Sequence, residues 1–434
     1  MMMLEATAAR HEQASGLGPE QHARLLRSRV AIVGVGALGA PLAEHLARLG
    51  VGTVLVDPDT VCVENLANQS FDLGDIGKPK AAVCERVARA IDPHCDVRAL
   101  LARVEDVGLG TFLDVDLIVT ALDSVSARVF VSEIAAKVGV PMLDTAVDGS
   151  GRRLQGHVAA FDPTSGSACY LCQFDPASYE AATRDEMPSG CASWLDRSTA
   201  VTPPTLQGSA FGGLIASTGA IWTVRILTGR GAELFGRKLL LSMQEAAPAV
   251  RLATIGRRES CLIDHEPLAT VGRHASEERD ETIGDSVAAT ERAAAAEVVE
   301  AHFHHRSIAR GLFCRGCGAV DAGYVHAAAS APLQDGVCRH CGEPTTAAEL
   351  TRCLGRDDLD RLAARSWREI GLPENDVVTL VCDGAERREH HVAIGRFAND
   401  SSTATATPAT DGIGTPDSHV EQPQTRTQMS RRHS

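Results

Sequence analysis

Val30-Ala31-Ile32-Val33-Gly34-Val35-Gly36-Ala37-Leu38-Gly39 decides the fold. A β-branched apolar run ends in a glycine turn, a helical stretch follows from Ala40 to Leu49, and Gly50 supplies the stop signal. Gly34, Gly36 and Gly39 permit a tight turn and close approach to the backbone, and the helix N-terminus behind them favours phosphate charge. Taken alone, the turn fits a dinucleotide-binding fold equally well.

Outward from the turn, Thr53-Val54-Leu55-Val56 reads as a second strand ending on Asp57, and residues 80–91 have a helical pattern. Val97 to Leu101 and Leu117-Ile118-Val119-Thr120 are further strands, the latter ending just before Asp123. Strands alternating with helices at this spacing predict an α/β, doubly wound, mostly parallel sheet of Rossmann-like type. From Cys169 to about Pro204 the pattern breaks into irregular polar sequence, and Ala210 to Leu227 restores a small-residue helix. Residues 1–265 then form the nucleotide domain and 266–285 a polar linker. Residues 286–397 form a smaller module with an Ala-rich helix, a four-cysteine ribbon and strands around Val377–Val381 and His390–Ile394. Residues 398–434, poor in apolar side chains, are expected to be disordered.

The 434 residues are 44% hydrophobic and 23% charged, an ordinary globular balance, and a net charge of -14 disfavours a nucleic-acid partner. Met1 to Arg10 carries no secretion signal, and later apolar runs are interrupted before membrane-spanning length, so the expectation is a cytoplasmic protein with no membrane partner. In a reducing compartment, the thirteen cysteines read as metal ligands rather than disulfides where they pair as CxxC. Cys314/Cys317 and Cys338/Cys341, separated by 20 residues, give the spacing of a structural Zn²⁺ ribbon. His302, His304 and His305 read as a polar strand start rather than further ligands, and Cys62, Cys84 and Cys95 as packing residues.

Asp57-Pro58-Asp59-Thr60-Val61, Asn65-Leu66-Ala67-Asn68-Gln69 and Gly77-Lys78-Pro79-Lys80 separate the nucleotide readings. A nicotinamide- or flavin-dependent oxidoreductase needs no such ordered Asn, Gln and Lys, whereas ATP chemistry at the α-phosphate needs cations and amide donors. Asp123 offers an oxygen ligand to Mg²⁺.

With these segments in order, residues 10–265 resemble the ThiF/MoeB/HesA family, which belongs with the ubiquitin-activating enzymes. The resemblance implies ATP-dependent adenylation of the C-terminal carboxylate of a ubiquitin-like or sulfur-carrier protein ending in Gly-Gly, by a homodimer. It implies that Asp57 binds ribose, with Asp59 in the same nucleotide-binding segment. Asn65, Gln69 and Lys80 then contact phosphates, and Asp123 holds the metal. Cys191, 19 residues after Cys172, matches the place of a thiol that accepts the acyl group, against the alternative of a structural cysteine. Cys169 and Cys172 match the family's first zinc knuckle, and Cys261 and His265 stand at the place of its second, with Asp264 competing for the fourth ligand, or a metal-free remnant of the site. The family's Asn-Leu-x-Arg-Gln carries Asn68 here in place of its Arg, and only Arg10 matches the N-terminal arginine pair. That departure shifts phosphate duty to Lys78 or Arg24, or leaves a scaffold that keeps the fold without the turnover.

Overall fold

The computed structural model describes residues 17–148, 154–183, 209–243, 248–268, 281–327, 337–384 and 387–394. Arg10, Cys191 and the tail 398–434 lie outside the described residues. Helix α1 (Pro19–Arg27) leads into β1 (Arg29–Val33), the glycine turn, α2 (Gly39–Arg48) and β2 (Gly52–Val56). Next come α3 (Lys80–Ile91), β3 (Val97–Leu100), β4 (Leu117–Thr120), α4 (Val125–Val138), β5 (Met142–Val147) and β6 (Gln155–Phe161). After α5 (Pro176–Thr183) and α6 (Ser209–Leu227), β7 (Arg237–Ser242) and β8 (Ala249–Thr254) complete one sheet of order β3-β2-β1-β4-β5-β6-β7-β8.

Pairings among β1 to β5 are parallel, and those from β5 to β8 are antiparallel. Strand order reverses between β1 and β4, so the crevice beyond their C-terminal ends is a topological switch point, where ligands bind in such sheets. Both faces are covered. Val30 and Ile32 of β1 join a core with Leu42, Leu46, Leu55, Val119 and Ile215, while Ala31 and Val33 point the other way toward Phe112, Ile118, Ile134 and Phe161. That two-residue alternation, apolar on both sides, is why the strands read as unbroken hydrophobic runs.

Helix α6 corrects one expectation, since it is long and apolar enough by composition to cross a membrane. Its apolar side chains face the sheet, burying Phe211, Ile215, Ala216, Gly219, Ala220 and Trp222.

The C-terminal module begins one turn earlier than its sequence pattern indicates. Thr282 caps α7 (Ile283–Ala294), its hydroxyl accepting from the Asp285 N–H at 3.1 Å while the Asp285 carboxylate reaches back. A four-stranded antiparallel sheet orders as β13-β9-β14-β15, from β9 (Glu297–His302), β13 (Cys353–Gly355), β14 (Val377–Asp383) and β15 (Arg388–Ala393). Beside it stand a three-stranded sheet of β10 (Ile308–Cys314), β11 (Val320–Ala327) and β12 (Thr345–Thr351), and helix α8 (Arg356–Leu362). The expected terminal strand pair is thus β14 with β15. Met1–Phe397 is one compact unit. The module meets the nucleotide-binding sheet where Gly110 N donates to Asn375 O at 2.6 Å and Phe130 packs edge-on against His305.

Candidate active site and metal centres

The turn after β1 is held by Asp57 at the end of β2. Val35 N–H donates to Asp57 Oδ2 at 2.8 Å, and Asp59 N–H to Oδ1 at 2.9 Å. Burial pushes the Asp57 carboxyl up, opposed by Lys80 and those two N–H groups. Gly34 has φ +88°, and a Cβ there would stand 2.6 Å from the Ala121 carbonyl oxygen; a Cβ on Gly39 would stand 1.9 Å from the Gly34 oxygen. Only glycine allows this chain to double back so tightly between β1 and β4.

Around the turn, the structure gathers the expected nucleotide residues. Lys80, at the start of α3 and nearly buried, places Nζ 2.9 Å from Asp59 Oδ2. Backbone bonds knit the two segments, with Lys80 N–H donating to Asp59 O at 2.9 Å. Asn65 lies in a 3₁₀ turn, Val63–Ala67, and its side-chain oxygen accepts from Cys62 N–H at 2.9 Å, which aims the amide. The Gln69 amide lies over the turn, 3.6 Å from where a Gly36 Cβ would stand. Its Oε1 is buried and has no hydrogen-bond partner among the described residues. A half-turn of that amide presents N–H donors instead, so the orphaned group beside a cradle lacking Cβ atoms fits a phosphate.

Asp123 follows β4 and is exposed at the mouth of the crevice. Behind it lies a buried network that the sequence reading missed. Arg128 Nε stands 3.1 Å from Asp144 Oδ1, Thr120 donates its hydroxyl to that oxygen at 2.8 Å, and His157 Nε2 lies 2.8 Å from Oδ2. Burial alone would raise the Asp144 carboxyl, yet Arg128 and His157 hold it well below the usual carboxylate range. Burial keeps the His157 imidazole below its ordinary value despite Asp144. Arg128 and His157 also line a cleft of about 620 Å³, with Asp148, Gln155, Leu240 and Arg251 on its walls. The only sequence signal for this network was an ionisable residue, Asp144 and His157, inside each of the apolar strands β5 and β6.

Cys169, Cys172, Cys261 and His265 bring their ligand atoms within 4.8 Å of one another. Cys169 Sγ lies 3.7 Å from Cys172 Sγ and 3.6 Å from Cys261 Sγ, and His265 Nε2 lies 3.6 Å from Cys172 Sγ. Hydrogen bonding from Cys169 holds the Cys172 thiol below its ordinary value, while Cys169 and Cys261 are pushed above theirs. Three sulfurs and one imidazole fit a closed tetrahedral zinc. Asp264 is not part of the set, because its carboxylate turns outward to Lys137 Nζ at 2.6 Å.

Cys314, Cys317, Cys338 and Cys341 form the second group, with Cys314 and Cys341 sulfurs 3.4 Å apart and Cys317 and Cys338 sulfurs 3.5 Å apart. The two knuckles repeat one geometry. Gly318 N–H donates to Cys314 O and Gly342 N–H to Cys338 O, each at 2.9 Å. None of His302, His304 and His305 joins this group. His302 instead sits with Glu300 and Cys353, where Arg387 already pairs with the carboxylate.

Arg24 does not take over phosphate duty. Its guanidinium donates to the Thr228 carbonyl at 3.2 Å, at the C-terminal end of α6, whose opposite end faces the glycine turn through Gly212. Thr228 lies sixteen positions after Gly212, about 24 Å along the helix axis. Lys78 stays near the site, exposed, 3.5 Å from Asp75. Cys84 and Cys95 are buried packing residues, their thiols pushed up by burial to about 12 and about 11.

The ThiF family model matches residues 8–262. A sulfur carrier protein adenylyltransferase of Thermus thermophilus is 31% identical over 255 residues, covering 56% of this chain and 85% of that one. The SAMP-activating enzyme E1 of Haloferax volcanii is 31% identical over 53% of this chain and 78% of its own. The sulfur carrier protein ThiS adenylyltransferase of Bacillus subtilis is 32% identical over 58% and 69%. With the glycine turn, Asp57, Gln69 and Lys80 assembled at one switch point, the chain belongs to the ThiF family and is an ATP-dependent adenylyltransferase of that type.

Proposed function

We propose that this protein adenylates the C-terminal carboxylate of a small sulfur-carrier or ubiquitin-like protein ending in Gly-Gly. The observation that carries the reading is the gathering of Gly36, Asp57, Gln69 and Lys80 around one crevice. The ATP phosphates lie against the turn, with the α2 N-terminus, Asn65, Gln69 and Lys80 as donors and Asp57 at the ribose. Lys80 exchanges its Asp59 partner for phosphate oxygen. Asp123 holds Mg²⁺, which supplies charge neutralisation on the phosphates when bound.

A carrier carboxylate oxygen attacks the α-phosphorus, and the bond to the bridging oxygen breaks as pyrophosphate leaves. The product is an acyl-adenylate with AMP as its leaving group. The Cys191 thiolate then attacks the acyl carbon, AMP departs with the bonding pair, and a thioester remains. The two cysteine-rich groups each hold one structural Zn²⁺. The ribbon module docks a partner, and the active form is a homodimer.

The test is exchange of labelled pyrophosphate into ATP by the full chain, with and without a Gly-Gly carrier. Carrier-dependent exchange is expected, and a carrier that binds without exchange contradicts the reading. A Cys191→Ala protein that still forms a reductant-sensitive carrier adduct removes the thioester step alone.

A further inference from the structure

We propose that Asp144 and His157 are positioning residues for the Asp123 loop, acting through Arg128; this rests on Asp123 as the carboxylate that holds Mg²⁺. Arg128, in the first turn of α4, donates from its guanidinium to the carbonyl oxygen of Leu122, the residue before Asp123. The other side of that guanidinium faces Asp144, with Nε 3.1 Å from Oδ1. That contact is an ion pair without a hydrogen bond from Nε, so Asp144 acts on the guanidinium through charge, drawing it to the position from which it reaches the Leu122 carbonyl.

Asp144 is itself clamped. It is fully buried on β5, and Thr120, the last residue of β4, donates to Oδ1 at 2.8 Å. His157, on the neighbouring strand β6, meets Oδ2 at 2.8 Å and keeps part of its ring at the cleft wall. With both oxygens held, the carboxylate stays in one place, and its charge keeps the Arg128 guanidinium against the Leu122 carbonyl. Ser124 restrains the loop from its far end, its hydroxyl capping α4 at Ala127 N–H at 3.1 Å.

A purely structural account explains less of this arrangement. Burying a carboxylate and a guanidinium carries a desolvation cost, and apolar residues of similar volume serve stability as well. Here the ion pair ends on the backbone atom beside the exposed carboxylate of the crevice. Lys238 of β7 is the other charged group near Asp144, and burial lowers its ammonium below the ordinary value. Lys238 Nζ donates to Gln173 Oε1 at 3.0 Å, so it does not replace His157 on the carboxylate.

The experiment is a Mg²⁺ titration of fluorescent ATP-analogue binding to the full chain, which needs no carrier and no turnover. His157→Gln keeps an N–H donor toward Asp144, and His157→Leu removes it. The half-saturating Mg²⁺ concentration is expected to rise about tenfold in His157→Leu and less than about twofold in His157→Gln, at the lower end of what residues orienting a metal ligand contribute. Zinc content and melting temperature report that each variant is folded. If His157→Leu does not fold, Thr120→Val decides, with a rise expected there too. A folded variant lacking the donor with the wild-type Mg²⁺ requirement overturns the proposal, as does wild-type nucleotide binding that ignores Mg²⁺. Failure of the adenylation reading is a different result, the absence of carrier-dependent pyrophosphate exchange in the wild-type chain.

Discussion

Arg306 Nε lies 2.9 Å from Asp376 Oδ2 in a buried ion pair that ties the C-terminal module to the nucleotide-binding sheet. The same guanidinium donates to the carbonyls of Glu105 and Val107, and Asp376 Oδ1 accepts from Leu109 N–H at 3.0 Å. The segment they clamp leads from β3 to β4, the strand that ends at Asp123. The ribbon module is therefore mounted on the crossover that carries part of the crevice.

Removing one partner leaves the other charge buried. Arg306→Ala is expected to cost about 3–5 kcal/mol in denaturant-induced unfolding, and Arg306→Met with Asp376→Leu distinctly less. A loss below about 1 kcal/mol for Arg306→Ala, the scale of an exposed pair, contradicts the clamp.

Two histidines at this junction make stability depend on pH. Burial pushes His304 down to about 3 and His305 down to about 4, from an ordinary value of 6.5. The folded state takes up these protons later than the unfolded chain does. Their contribution is thus complete above about pH 6.5 and is lost as pH falls toward 4, by at most about 1.4 kcal/mol per pH unit per histidine. Melting temperature is expected to fall between pH 7 and 5, and the paired His304→Gln, His305→Gln variant to fall less steeply. An equal slope in wild type and variant assigns the pH dependence elsewhere.

The metal groups give a stoichiometry. Elemental analysis is expected to find about two zinc ions per chain, since two closed four-ligand sets are present. Cys314→Ser and His265→Ala each lose one, whereas Asp264→Asn retains both because that carboxylate faces Lys137. Loss of zinc in Asp264→Asn and not in His265→Ala reverses the ligand assignment.

Lys80 is a buried cation beside Asp57 and Asp59. Lys80→Ala is expected to lower the pyrophosphate-exchange rate about 10²–10³-fold, the scale of losing one preorganised donor to developing charge. A change below about tenfold moves that duty to another residue, with Lys78 the nearest exposed candidate.

Much of this was legible from local pattern. β1, β2 and β4 are short apolar runs buried on both faces, and each ends on chemistry, in the glycine turn, Asp57 and Asp123. The CxxC pairs were legible by spacing, since a knuckle is a local turn, whereas Cys261 and His265 were expected only through the family resemblance. What escaped reading is non-local. Asp144 and His157 meet because β5 and β6 pair antiparallel, with Ala146 opposite His157, and nothing in either strand's own sequence fixes that register. The Arg306–Asp376 clamp joins residues 70 positions apart, and its acceptors lie in the other half of the chain. Arg24 misled because charge in a sequence carries no direction, and its helix points the guanidinium at the wrong end of α6.

The most direct measurement of the central claim follows the α-phosphate. The full chain is incubated with a Gly-Gly carrier and ATP labelled at either the α- or the γ-phosphate, and the carrier is recovered under acid conditions that preserve an acyl-adenylate. The expected result is label on the carrier from α-labelled ATP only, lost in Lys80→Ala and in a carrier lacking its terminal glycine. A carrier that binds the chain tightly and acquires no α-label would show a scaffold rather than a working adenylyltransferase.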